Sequence, residues 1–290
     1  MKQYRSDLPF QVVNTAVIIL ISVTMIAPMI HLLAVSLSTA KFAAAKVVGL
    51  WPRGLNTAVY VRVFQTASLW RAMGITVYIT VAGTVVCLVL SSTLAYALSR
   101  PAMKGRKLVT QGVLLTFIFS APLIPSYLVV RALGMENHLM ALIVPSALGA
   151  YYVLIMKTFF QGISSELFDA AKIDGAGEFG TYVRIVVPLS TAVIATIALF
   201  HAVGQWNSYF SALIFIRNKL LYPLQIVLRD LVVGELVGSL TAYDLDIQMM
   251  TTPEQMRAGI ILFATLPILI VYPFLQRYFV KGAMLGSVKG

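Results

Sequence analysis

The chain alternates between apolar blocks of about twenty residues or more and short stretches that carry most of its charge. At about 1.5 Å per residue, an α-helix needs about 20 apolar residues to cross the hydrocarbon core of a bilayer. In lipid every backbone N–H and C=O must find a partner within the protein, and a helix satisfies that demand segment by segment. Six blocks meet the requirement: 11–35, 72–98, 108–130, 139–159, 187–210 and 259–280. The expected fold is therefore an all-α membrane protein of six transmembrane helices, forming a single transmembrane domain over residues 1–290. Composition agrees. Charged residues make up 11% and hydrophobic residues 59% of the chain, whereas a soluble domain carries about a quarter charged. The first block follows Lys2 and Arg5, yet it is too long for the core of a removable signal and no small-residue cleavage site follows it. It is expected to remain as an anchor.

Orientation follows from the density of Lys and Arg in short loops. The loop from Arg100 to Lys107 holds Arg100, Lys104, Arg106 and Lys107, whereas the loop Arg131–His138 on the opposite side holds Arg131 alone. The first is assigned to the cytoplasm, which puts both termini there. Two segments on the outer side, 36–71 and 211–258, are too long for simple turns. Tyr60-Val61-Arg62-Val63-Phe64 and Leu224-Gln225-Ile226-Val227-Leu228-Arg229 within them predict short interfacial helices. Prolines mark every block except the second: Pro28, Pro122 and Pro125, Pro145, Pro188, and Pro267 with Pro273. They point either to kinked helices around a cavity or to the general enrichment of proline in membrane helices.

Catalytic chemistry has no foothold. The chain lacks a phosphate-cradling G-x-x-x-x-G-K-[ST], an H-E-x-x-H and a G-x-S-x-G. His31, His138 and His201 lie in different segments without ligand spacing, so no metal site is expected. Cys87 is the single cysteine, which excludes a disulfide within the chain. The net charge of +11 sits in loops and builds no continuous basic face, which argues against nucleic acid. Polar residues within the blocks are few, chiefly Asn14, Thr76, Thr80, His201 and Gln205, with no carboxylate in mid-block. A secondary, ion-coupled solute transporter would need such carboxylates. A transporter built from this chain would draw its energy from elsewhere.

The most informative stretch is cytoplasmic by this assignment, about 161–186. Ser164 or Ser165 can cap a helix whose first turn carries Glu166. Leu167, Ala170, Ala171 and Asp174 recur at helical spacing and are expected to share a face. Gly175 and Gly177 then allow a sharp turn, and a second short helix through Tyr182, Ile185 and Val186 leads to Pro188. Two readings stay open on spacing alone: a helix presented to a groove on a partner, or an amphipathic connector lying on the membrane surface.

Glu166-Leu167-Phe168-Asp169-Ala170-Ala171-Lys172-Ile173-Asp174-Gly175-Ala176, followed by Ile185-Val186-Val187-Pro188-Leu189, resembles the E-A-A loop of binding-protein-dependent ABC permeases. Asp169 stands where the family usually has Glu, and Val187 where it has Leu. Gln205-Trp206-Asn207-Ser208-Tyr209-Phe210 and the tail from Leu266 to Gly290 are similar to the maltose-type, carbohydrate-importing branch. The wording of the tail is also similar to a subgroup that includes permeases for alginate and pectin-derived oligosaccharides. The resemblance implies one non-catalytic subunit of an ATP-driven oligosaccharide importer in the bacterial inner membrane, multi-pass. It would be paired with a second related permease, two copies of an ATP-binding subunit and an extracytoplasmic solute-binding protein. ATP and Mg would act on the partner ATPase, with no cofactor on this chain. It further implies that Glu166, Asp169, Ala170, Ala171, Asp174, Gly175 and Ala176 contact the ATPase, that 221–256 reaches the binding protein, and that 282–290 touches the ATPase pair. Gln205, Trp206, Asn207 and Tyr209 suit a sugar pathway, although membrane-interface anchoring explains Trp206 equally well. Outer basic residues would steer acidic sugars or sit at anionic lipid headgroups.

Overall fold

A computed structural model describes the backbone of residues 8–233 and 251–287, and the side chains of 10–230 and 251–273. The regular structure of the described residues is helical, joined by turns and loops, with no strand among them. In chain order the helices are α1 (Leu8–Leu37), α2 (Ala40–Ala44), α3 (Ala58–Gln65), α4 (Ala67–Ser99), α5 (Arg106–Ile118), α6 (Leu123–Ala132), α7 (Met140–Ile143), α8 (Ala150–Gln161), α9 (Ser165–Ile173), α10 (Glu178–Leu189), α11 (Thr191–Trp206), α12 (Phe210–Phe215), α13 (Leu224–Val233) and α14 (Pro253–Ser287).

Every expected block is found as helix, but continuity differs. Three helices are long and apolar enough to cross a membrane: α1, α4 and the Pro253–Pro273 part of α14. The third block is instead a bent pair, α5 and α6, turning by 119°. Pro122 sits just ahead of α6 with no N–H to continue the α5 ladder, and Phe119 is already extended. The fifth block is a second bent pair, α10 and α11, turning by 79°. There a π-helical turn, Tyr182–Val186, runs into Pro188, and the chain breaks at buried Ser190. The fourth block is interrupted: α7 stops at Ile143, Pro145 lies in the gap, and α8 starts after Gly149. Of the six expected spans, three are continuous helices and two are bent pairs, while the fourth block stands as two short pieces. The sixth block also starts earlier than expected, at Pro253.

Two compact units divide the chain: 1–70 with 227–267, and 71–226 with 268–290. In the first, the expected interfacial helix forms as α3, burying Val59 and Val63 and exposing Val61 and Phe64. Ser36 and Tyr60 join hydroxyls at 2.7 Å, and the Gln255 amide donates to the Ser38 carbonyl. Gly259 on α14 lets Val59 of α3 approach closely. Trp70, Phe64 and Phe263 meet as an aromatic trio. The apolar side chains of α1 from Phe10 to Ile26 are exposed, the surface expected of a helix that faces lipid or other spans.

The second unit has two cores. One gathers Tyr96, Leu98, Met156, Phe160, Phe168, Val186 and Ile197. The other gathers Ile79, Val130, Leu142, Phe215, Ile216 and Ile226. The second predicted interfacial stretch is helical in α13.

Candidate functional site

Ser164 begins α9 by accepting a hydrogen bond from the Glu166 N–H at 3.3 Å, with Glu166 in the first turn as its charge requires. The helix ends as its glycine predicts. Gly175 takes φ +77°, the left-handed region that costs a residue with a Cβ. Gly175 N–H bonds Lys172 C=O at 3.1 Å and Ala176 N–H bonds Ala171 C=O at 2.8 Å, a Schellman stop that satisfies two of the last carbonyls. The predicted second short helix appears as α10, with the π turn at Tyr182–Val186.

The helix faces differ from the expected pattern. Phe168 and Ala171 are buried, whereas Glu166, Leu167, Asp169, Ala170, Lys172, Ile173, Asp174 and Gly175 are exposed. Ala171 therefore does not share the exposed face with Leu167, Ala170 and Asp174. It lies a turn from Phe168 on the inward stripe. Ala176 is half-buried. The outward surface also carries Ile173, 86% exposed, and Phe179, 77% exposed. Both side chains are uncovered in the isolated chain. Sequence reading passed over both, though each is a bulky apolar residue in an otherwise charged stretch.

The end of α4 holds this segment. The Arg100 guanidinium lies 3.9 Å from the centre of the Phe168 ring, and its Nε is 3.7 Å from Glu178 Oε2. The Tyr96 hydroxyl donates to the same carboxylate oxygen at 2.6 Å. Ser92 and Tyr182 join hydroxyls at 2.6 Å, and the Tyr96 and Tyr182 rings lie 5.3 Å apart. A cavity of about 250 Å³ opens beside the Arg100–Phe168 pair, lined also by Ser99, Arg106, Phe160 and Ser165.

The four residues expected along a sugar pathway separate into two pairs. Gln205 and Trp206 are buried; Asn207 and Tyr209 are exposed. The Gln205 amide nitrogen donates to the Leu142 carbonyl at 2.7 Å, and its oxygen lies 3.4 Å from the Ser146 hydroxyl. His201 Nε2 is 3.3 Å from the Ser146 carbonyl and Nδ1 is 3.1 Å from the Thr84 hydroxyl. These carbonyls are the ones left open where the fourth block breaks. Side chains from α11 fill in for the missing helical ladder, as a broken helix in an apolar setting demands. Asn207 donates to the Val203 carbonyl at 2.9 Å.

His31 bonds the Gly49 carbonyl and His138 the Glu136 carbonyl. Among the described residues no three metal-ligating side chains cluster. Of the basic residues expected on the outer side, Arg217 pairs with Glu136 at 2.7 Å and Arg229 with Asp230 at 3.3 Å. Lys41, Lys46, Arg53 and Lys219 are exposed. The middle of the expected binding-protein contact, 234–250, and the last residues of the tail, 288–290, lie outside the described residues, as do the side chains of 282–287.

With this geometry in hand, known proteins give a consistent picture. Residues 106–284 match the family model described as "Binding-protein-dependent transport system inner membrane component". The chain is 43% identical to Protein LplC of Bacillus subtilis (strain 168), over 91% of this chain and 90% of the relative. It is 40% identical to the polygalacturonan/rhamnogalacturonan transport system permease protein YtcP of the same organism, over 91% and 92%. A solved bacterial ABC transporter involved in the import of the acidic polysaccharide alginate contains a chain of 30% identity that superposes with a TM-score of 0.85. That match covers 95% of this chain and 98% of the other. The α9 segment with its glycine stop lies inside the matched region, and the chain belongs to the family of binding-protein-dependent transport system inner membrane components.

Proposed function

We propose that this chain is a permease subunit of an ATP-driven importer of oligosaccharides in the bacterial inner membrane. The observation that carries the reading is α9. It is a short capped helix with a sharp glycine stop, an exposed outer face that carries Ile173 at its end, with exposed Phe179 following at the start of α10, and an inner face that meets Arg100 at the end of a membrane-length helix. A surface of that form suits a groove on a partner subunit. In this reading the partner is an ATP-binding subunit present in two copies, each engaging one permease, the second permease being a relative of this chain. Glu166, Asp169, Ala170, Asp174 and Gly175 meet the ATPase on the cytoplasmic side, while Ala171 and Ala176 support the helix from behind. ATP, with its magnesium ion, is hydrolysed on the partner, and this chain makes and breaks no covalent bond.

The chain then forms one domain of six passes with both termini in the cytoplasm, the α7–α8 pair counting as an interrupted fourth pass. An extracytoplasmic solute-binding protein delivers the sugar to the outer side. In this reading Asn207 and Tyr209, both exposed, meet it, since an aromatic face stacks on a sugar ring and an amide bonds its hydroxyls. Gln205 and Trp206 stand behind them. Two relatives named for polygalacturonan/rhamnogalacturonan and alginate transport support a polysaccharide-derived substrate. Exposed basic side chains, Lys41, Lys46 and Arg53 in the first unit and Lys219 in the second, would favour an acidic one by their positive charge.

The test is purification from a native membrane followed by uptake into proteoliposomes. The chain should emerge with a second permease and an ATPase, and uptake should require ATP and prefer acidic over neutral oligosaccharides of equal length. Solute movement by this chain alone, or labelling of a cysteine at Ala170 from outside the cell, would overturn the reading.

A further inference from the structure

We propose that Arg100 is a positioning residue that locks α9 to the end of α4, so that motion of α9 is delivered to a membrane-length helix. The inference rests on the reading of α9 given above.

Backbone alone transmits force poorly here. Gly162 lies shortly before α9, and Gly175 and Gly177 follow it, so no side chain at these positions braces either joint. Force must cross through side chains. Only Phe168 and Ala171 of α9 point into the fold, and a methyl group gives no directional hold. The Phe168 ring is met by Arg100 at 3.9 Å. The neighbouring cavity of about 250 Å³ leaves one side of that pair open, while Phe168 otherwise belongs to the apolar core with Tyr96 and Phe160.

Arg100 has two contacts on the segment, and their surroundings rank them. The Glu178 side chain is 64% exposed and its oxygen 3.7 Å away, an ion pair that solvent screens. The Arg100 side chain is only 18% exposed, and Phe168 is buried. Cation–π attraction grows with desolvation, so the Phe168 contact carries the lock and Glu178 steers it. Tyr96, one turn back along α4, holds Glu178 from the same helix end. Arginine suits the position because its flat guanidinium can stack on a ring and reach a carboxylate together.

The experiment uses the assembled importer in lipid nanodiscs, reading binding-protein-stimulated ATP hydrolysis as a ratio to the basal rate. Arg100→Gln and Phe168→Leu should each lower that ratio about fivefold, the double variant no further, because the two residues act through one contact. Arg100→Lys and Phe168→Tyr, which keep a cation over a ring, should retain at least half of the ratio, and Glu178→Gln should stay within about twofold. If Arg100→Gln prevents assembly, Phe168→Leu decides, since it keeps apolar bulk. A normal ratio in either single variant, or losses that multiply in the double, overturns the lock. Gly175→Val separates the two levels. If it abolishes stimulation while Arg100→Gln does not, the lock fails and the reading of α9 stands. If neither changes the ratio, both fail.

Discussion

Val59 occupies the space that a Cβ on Gly259 would need, so α3 and the start of α14 meet across a bare backbone. The consequence is a packing site that tolerates no added volume. Gly259→Ala should destabilise the protein by about 1–3 kcal/mol through overpacking. Val59→Ala in the same chain should recover part of that loss. Thermal melting in detergent of the two single variants and the pair gives the coupling directly.

The Gln205 amide donates to Leu142 C=O at 2.7 Å, the shorter of two side-chain bonds to that carbonyl, the other coming from the Ser146 hydroxyl at 3.2 Å. Gln205→Leu keeps the volume and removes the shorter bond, leaving Ser146 as the side-chain donor. The expected cost is about 0.5–1.5 kcal/mol. The longer His201 contact, at 3.3 Å, should matter less. His201→Phe should therefore lower the melting temperature by less than Gln205→Leu, and equal losses would contradict this assignment.

Gly175 has open space around its Cα, so its requirement is conformational. Placing an ordinary residue at φ +77° costs about 1–2 kcal/mol, less for Asn, whose short side chain tolerates the left-handed region. Gly175→Asn should therefore retain stimulated ATP hydrolysis in the assembled importer, while Gly175→Val should lose most of it. Equal behaviour of the two would show that the turn does not govern coupling.

Ile173 and Phe179 are largely exposed, Phe179 meeting only the Tyr182 ring among described aromatic neighbours, with ring centres 6.4 Å apart. Ile173→Ser and Phe179→Ser should leave the melting temperature of the isolated chain within about 0.5 kcal/mol equivalent, as surface changes do. The same variants should retain less ATPase on co-purification. A loss of stability without loss of the partner would reverse the assignment.

Much of this was legible from residue order. The apolar blocks announced the helices, Ser164 and Gly175 announced both ends of α9, and Tyr60–Phe64 announced α3. What escaped were the features set by tertiary neighbours. Helical spacing put Ala170 and Ala171 on one face, but they are 100° apart and the core lies on Phe168's side, so only Ala171 turns inward. Pro145 flagged a defect in the fourth block without showing that α11 would repair it. Arg100 was read as one positive charge among four in a short loop, because nothing local reveals that Phe168, far along the chain, will lie under its guanidinium. Gln205 looked like a ligand for sugar hydroxyls, since an amide in an apolar block serves a carbonyl and a hydroxyl equally well.

The gap between α7 and α8 also bears on how the protein is made. Neither piece is long enough to cross a bilayer by itself, and two carbonyls at the gap gain bonds from Gln205 and His201, which leave the ribosome some sixty residues later. That segment must wait, sheltered from hydrocarbon by the insertion machinery or held near the interface, until α11 has been synthesised. Release of the fourth and fifth segments into lipid is then a joint event, and a chain truncated before His201 should leave the fourth stranded outside the membrane interior.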